Sequence, residues 1–190
     1  MQPNVKLERR ISPLFALFFY GFLTLAGALW LYAKAGPGAF RALMVPKNLL
    51  LDLTLGLGAG ALIAGACASL GSWWGTAREL EKEFGWILGE QKKWECLLLA
   101  VVSGVAEELF FRGAVRATVS PWIGTAIFAV LHWPVSRAFR LWPFLALAAG
   151  AVLAMEREVT GGLIAPIITH VTVNAVNLWR ITSRYRVWRE

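Results

Sequence analysis

The sequence predicts an all-α, polytopic bundle of about six membrane-spanning helices, built as a single domain over residues 1–190. Three observations predict it. Hydrophobic residues fill 57% of the 190 positions and charged ones only 16%, with a mean hydropathy of +0.57. Soluble domains carry about 25% charged residues. Six stretches approach the ~20 apolar residues that a span needs. Finally, the cations are unevenly placed along the chain.

With the N-terminus in the cytoplasm, thirteen Lys and Arg fall inside and six outside. The inside set is Lys6, Arg9, Arg10, Arg78, Lys82, Lys92, Lys93, Arg137, Arg140, Arg180, Arg184, Arg186 and Arg189; the outside set is Lys34, Arg41, Lys47, Arg112, Arg116 and Arg157. That bias follows the positive-inside rule and puts both termini in the cytoplasm, as in a bacterial inner-membrane protein. Trp30, Trp73, Trp74, Trp122, Trp133, Trp142 and Trp179 lie near span ends, where an aromatic belt is expected. The net charge of +7 raises nucleic acid as a partner. Anionic lipid headgroups account more simply for the basic C-terminal stretch, residues 180–190.

The first span, Pro13–Ala33, has an apolar region longer than a signal-peptide core and is read as an uncleaved helix. Gly36, Pro37, Gly38 and Pro46 break the chain between residues 35 and 47. The second span, Leu49–Trp73, carries Gly56 and Gly60, a small-xxx-small pair that lets two helix backbones approach closely. Between residues 75 and 93 lies most of the soluble charge, interrupted by Phe84, Trp86, Ile87 and Leu88. This predicts either an interfacial amphipathic helix over residues 76–93 or a solvated linker. The third span is Glu95–Val115 and the fourth, Pro121–Val135, is short. The fifth, Leu141–Met155, is rich in alanine and glycine, and ends in Glu156-Arg157-Glu158, read as a solvated cap. The sixth is Gly161–Arg180. Cys67 and Cys96 suggest neither a disulfide framework nor a metal knuckle.

Several of these spans carry groups that lipid cannot satisfy. Glu107 and Glu108 sit in an apolar stretch, and a charge at bilayer depth costs roughly 3 kcal/mol even on lenient scales. Arg112, one turn from Glu108, compensates one carboxylate. The chain has only two histidines, His132 and His170, both expected within apolar helices. Phe128 and His132 are four apart, as are His170 and Asn174, and Glu108 and Arg112; residues four apart share a helix face. Asn177 extends the α-helical stripe of His170 and Asn174. These groups must meet one another or line a wet cavity.

Two histidines, one uncompensated carboxylate, an amide and water suffice to hydrolyse a carbonyl compound. A carboxylate serves as general base on the water, and His and Asn donors stabilise an oxyanion, worth roughly 3 kcal/mol per good donor. Glu108 and Arg112 would be structural. Adjacent helix positions differ by about 100°, so Glu107 and Glu108 cannot do the same job on one face.

The motifs Glu107-Glu108-x-x-x-Arg112, Phe128-x-x-x-His132 and His170-x-x-x-Asn174, in this order, resemble those of the CPBP family, which contains the CAAX prenyl endopeptidases and the bacterial Abi-type membrane proteins. The likeness runs from Leu97 to Asn177, within a motif core at about residues 95–180. It implies an intramembrane endopeptidase of the glutamate type. Glu107 and His132 would hold and activate the water, His170 and Asn174 would form the oxyanion site, Glu108 and Arg112 would support the first motif, and Phe128 would pack. The substrate would be a membrane protein or a lipidated or C-terminally anchored peptide, cut for processing or sorting. No cofactor is required by this mechanism.

Three other readings compete. Glu107, His132 and His170 could bind zinc as a two-His, one-carboxylate set, although the His-Glu-x-x-His spacing of many zinc proteases is absent. The polar residues could be interhelical glue in a non-catalytic scaffold or immunity protein. A proton-coupled transporter would also use Glu and His, but neither an inverted repeat nor paired interrupted helices are visible.

Overall fold

The computed structural model describes residues 12–133 and 136–185, and every regular element among them is helical. Helix α1 (Pro13–Ala35) opens on a proline, whose fixed φ suits a first turn, and stops at Gly36, where φ is 81°. The break expected over residues 35–47 holds a short helix, α2 (Ala39–Met44). Asn48 caps α3 (Leu49–Trp73) by accepting the Leu51 N–H at 3.1 Å. After one extended residue, Trp74, the chain forms α4 (Gly75–Leu88). Helix α5 (Lys93–Glu108) passes directly into a π-helical segment, Leu109–Val115. Ser120 caps α6 (Pro121–Leu131). A 3-10 turn, Arg137–Leu141, leads into α7 (Trp142–Thr160), ended by Gly161 at φ 72°. The last helix is α8 (Ile164–Arg184).

Helix α8 is the axis of the bundle. It lies between α3 and α5 and also meets α7 and α4, while α1 covers α5 and the π segment and α6 lies on α7. Small residues set these approaches. A Cβ on Gly56 would stand 2.7 Å from the Ile168 side chain and 2.9 Å from the Ala165 carbonyl. One on Gly60 would stand 2.7 Å from Thr172, and one on Gly104 would stand 2.8 Å from Val171. The Gly56 and Gly60 pair therefore seats α3 on α8, as small-xxx-small spacing predicts.

Three helical segments among the described residues are long and apolar enough to cross a bilayer: Pro13–Ala35, Leu49–Trp73 and Arg137–Thr160. Their outward faces suit lipid; Leu14, Phe15, Phe18 and Phe22 of α1 are 67–82% exposed. The expected third and sixth spans are also long helices, α5 with its π segment and α8, but they carry Glu107, Glu108, Arg112, His170 and Asn174 and are correspondingly less apolar. The expected fourth span, Pro121–Val135, differs. Its helix is 11 residues long, about 16 Å at 1.5 Å per residue, and too short to cross alone. Pro134 follows two residues after His132, and a residue before proline disfavours the helical conformation. His132 thus caps α6 rather than lying inside it. Val135, the N-terminal cations Lys6, Arg9 and Arg10, and Arg186 and Arg189 lie outside the described residues.

Two further expectations change. The segment at 76–93 is a helix rather than a linker, but it ends at Leu88, where Gly89 adopts φ 67°. Its inner face (Ala77, Leu80, Glu81, Gly85 and Leu88) is buried, and Glu81 pairs with Arg180 of α8 at 2.5 Å. The supposed solvated cap Glu156-Arg157-Glu158 is split. Glu156 is only 5% exposed, whereas Glu158 faces outward and pairs with Arg116 at 2.8 Å. Successive side chains on a helix turn by about 100°, which sends one carboxylate in and the other out. In the aromatic belt, Trp73, Trp122 and Trp133 are exposed, but Trp30 packs edge-on against Phe110 and Trp142 packs against Phe84.

Gly56→Val should lower stability by about 2 kcal/mol, because the added carbons meet a backbone carbonyl as well as a side chain. Gly58→Ala, on the open side of the same helix with no atom within 4 Å, should not lower it, and the better helix propensity of alanine should raise it slightly. Thermal unfolding of the two purified variants in one detergent checks the pair.

Candidate active site

The three motif helices converge where α5 becomes π-helical. A π turn carries one more residue than an α turn and redirects the side chains beside it; such turns are frequent at functional sites. Glu107 and Glu108 are the last residues of α5 before that change. Glu108 is fully buried, and its Oε1 accepts two hydrogen bonds, from Arg112 Nη1 at 3.1 Å and from His170 Nδ1 at 2.7 Å. The motif-one carboxylate expected to serve only Arg112 therefore also holds the histidine of α8.

Arg112 is committed on every side. Its Nη2 donates to the Gly150 carbonyl at 3.1 Å, and its guanidinium lies 4.5 Å from the centre of the Phe128 ring. Gly150 is what admits it. A Cβ there would stand 3.1 Å from Arg112 and 3.2 Å from both Phe128 and Thr125. The small-residue character of α7 thus has a specific purpose, room for a buried guanidinium.

Glu108 is paired with a permanent cation and acts as an acceptor, so His170 Nδ1 carries the hydrogen of that bond. The other ring nitrogen, Nε2, then points at Glu107 Oε2, 3.9 Å away. That separation exceeds a direct hydrogen bond. The two carboxylates do face different directions, as the helical rotation requires, yet they address the two nitrogens of one imidazole. Glu107 keeps 15% of its side chain exposed, while Glu108 keeps none.

Phe128 stands between the histidines. Its ring centre is 4.4 Å from that of His132 and 6.5 Å from that of His170. His132 Nδ1 bonds the Phe128 carbonyl at 2.7 Å, and its ring lies 5.5 Å from Trp142. Among the described residues no hydrogen bond or ion pair joins His132 to Glu107, and no three His, Cys, Asp or Glu side chains are grouped to hold a metal ion. Asn174 lies one turn along α8 from His170 and donates from Nδ2 to the Ser103 hydroxyl at 3.0 Å. Asn177, one turn further along α8, is engaged by Arg180 instead: its Oδ1 accepts from Arg180 Nη2 at 3.4 Å.

Three contributors escape the sequence reading. Ser103, four residues before Glu107, could have been found by the same spacing rule that selected the motif pairs. Gly150 offers only a carbonyl, which no side-chain pattern reports. Tyr20 of α1 has its hydroxyl beside Glu107, and among the aromatic residues of an apolar span nothing distinguishes it.

Residues 90–176 match the family model described as type II CAAX prenyl endopeptidase Rce1-like. The matched segment is a little under half of the chain. It contains all three motifs, from Glu107 to Asn174, and agrees with the resemblance carried by those residues. The chain is also similar to the uncharacterized protein YpbD of Bacillus subtilis (strain 168), at 30% identity over 80 residues. That stretch is 42% of this chain and 42% of YpbD, so less than half of either is covered. No solved structure matches the chain. The matched segment supplies α5, α6, α7 and most of α8; Tyr20 and the glycines of α3 come from outside it. With its apolar helices, the chain is an integral membrane protein.

Arg112→Met should destabilise the fold by about 3 kcal/mol, because it leaves the Glu108 charge buried without its permanent cation. The double variant Glu108→Gln with Arg112→Met should recover part of that loss. Chemical unfolding of the three proteins in the same bicelles measures both effects.

Proposed function

We propose that this chain is an intramembrane endopeptidase of the CAAX-protease type, in which Glu107 activates a water for attack on a peptide bond. The observation that carries the reading is the arrangement around His170: Glu108 and Arg112 fix one ring nitrogen, and the other faces Glu107 across 3.9 Å. A gap of that size between two polar atoms suits one bridging water. Interhelical glue alone would pair such groups directly.

In this mechanism Glu107 takes a proton from the water and the oxygen attacks the carbonyl carbon. His132, across the Phe128 ring, helps confine the water. The tetrahedral oxyanion meets donors on α8: Asn174, whose Nδ2 has a second N–H beyond the one given to Ser103, and His170 in its doubly protonated form, which donates from Nε2 while Nδ1–H stays on Glu108. The C–N bond then breaks, and the proton held by Glu107 passes to the leaving amine. No metal takes part. The substrate is a membrane-associated protein or peptide, anchored near its C-terminus and cut for processing or sorting. The cation bias supports a bacterial cytoplasmic membrane with both termini inside.

Glu107→Gln should lower cleavage roughly a thousandfold, the scale of a lost general base, while inserting and folding normally. His132→Ala and His170→Ala should be inactive as well. Comparing the C-termini of membrane proteins in cells carrying wild-type or Glu107→Gln enzyme reads out catalysis and identifies substrates together. Identical C-termini in the two strains would overturn the reading. Cleavage lost on chelation and restored by zinc would replace the mechanism.

A further inference from the structure

Behind the site lies another buried carboxyl group, one that the mechanism does not use. Glu156 of α7 is 5% exposed, and its Oε1 lies 2.7 Å from the hydroxyl of Thr169, the residue before His170. The same hydroxyl lies 3.1 Å from the Gly56 carbonyl of α3. Thr169 itself is 1% exposed.

A threonine hydroxyl has one proton and two acceptor lone pairs. It cannot donate to a carbonyl and a carboxylate at once. If its proton goes to Gly56, the carboxyl of Glu156 must supply the hydrogen of the shorter bond. A carboxylate at this place would have a single donor, because its Oε2 has no hydrogen-bond partner. The charged groups facing it are Glu108, Asp52 and Arg112. Two are acidic, and the guanidinium already serves Glu108, Gly150 and Phe128. A buried charge so poorly compensated is costly, whereas a neutral acid completes the chain of donors.

We infer that Glu156 is a protonated positioning residue, donating through Thr169 to the Gly56 carbonyl and so tying α7, α8 and α3 together immediately behind His170. The relay fixes the rotation of α8. That rotation decides whether His170 faces Glu108 and Asn174 faces Ser103. Glutamine preserves the donor and the shape; alanine and a leucine-like side chain do not. Valine at 169 removes the relay while keeping the size.

Two readouts on the purified, membrane-reconstituted chain test this without any cleavage assay, so its failure and failure of the protease reading remain distinguishable. In infrared spectra at neutral pH, wild type should show the carbonyl stretch of a protonated acid, absent from Glu156→Gln and shifted in Thr169→Val. In nitrogen NMR of labelled histidine, where the chain has only two rings to resolve, Glu156→Gln should keep the His170 signal in place. Glu156→Ala and Thr169→Val should move it. Any cleavage should follow the same order, with losses on the order of a hundredfold when catalytic groups shift by about 1 Å. A neutral-pH spectrum that Glu156→Gln leaves unchanged would overturn the assignment. So would a His170 signal that Glu156→Ala leaves in place, or that Glu156→Gln disturbs as much as Glu156→Ala.

Discussion

One carboxylate oxygen, Glu108 Oε1, holds the working parts of this bundle together. It takes a hydrogen bond from Arg112 one turn along its own helix and another from His170 across the helix interface. In water each bond would contribute little. Inside a bundle that lipid surrounds, groups left unpaired are expensive, so the arrangement is strongly preferred over any rotation that breaks it. The consequences run outward. Arg112 needs room and an acceptor, which Gly150 provides. His170 needs α8 close to α5, which Gly104 provides. Glu107, one step round the helix, is left as the carboxylate with no cation of its own and a partly exposed edge.

The division of labour between Glu107 and Glu108 recurs at Glu156 and Glu158. In both cases charged residues close together in sequence are separated by helical rotation, one held inside by a hydrogen-bonding partner and the other left nearer to water or a cation. The first case is legible from sequence because Arg112 stands four residues away and marks Glu108. The second is not, because the partner of Glu156 is Thr169, in the next helix, and no local spacing announces it. A run of three charges at a helix end reads as solvated unless the tertiary partner is known.

The same contrast governs what else could be read. The helices were legible because apolar runs, prolines and glycines punctuate them, and the three motif pairs were legible because a shared helix face is a local property. All three pairs do meet around Phe128, Glu108 and His170. The end of α6 at His132 was half legible, since Pro134 follows closely. Tyr20 and the carbonyl of Gly150 were illegible because they act through placement by remote helices. The match to Rce1-like proteins covers residues 90–176, so it reports on the motif helices and not on α1 or α3. The support these two helices give, through Tyr20, Gly56 and Gly60, is specific to the structure.

Glu108 and His170 are directly bonded, and this bond sets the site. A double-mutant cycle on unfolding free energy, using Glu108→Gln, His170→Asn and the pair, measures the bond itself. Hydrogen bonds between membrane helices average about 0.6 kcal/mol, and a charge-assisted one should couple by more than about 1 kcal/mol. A coupling within about 0.5 kcal/mol of zero, the scatter of independent sites, would contradict the account.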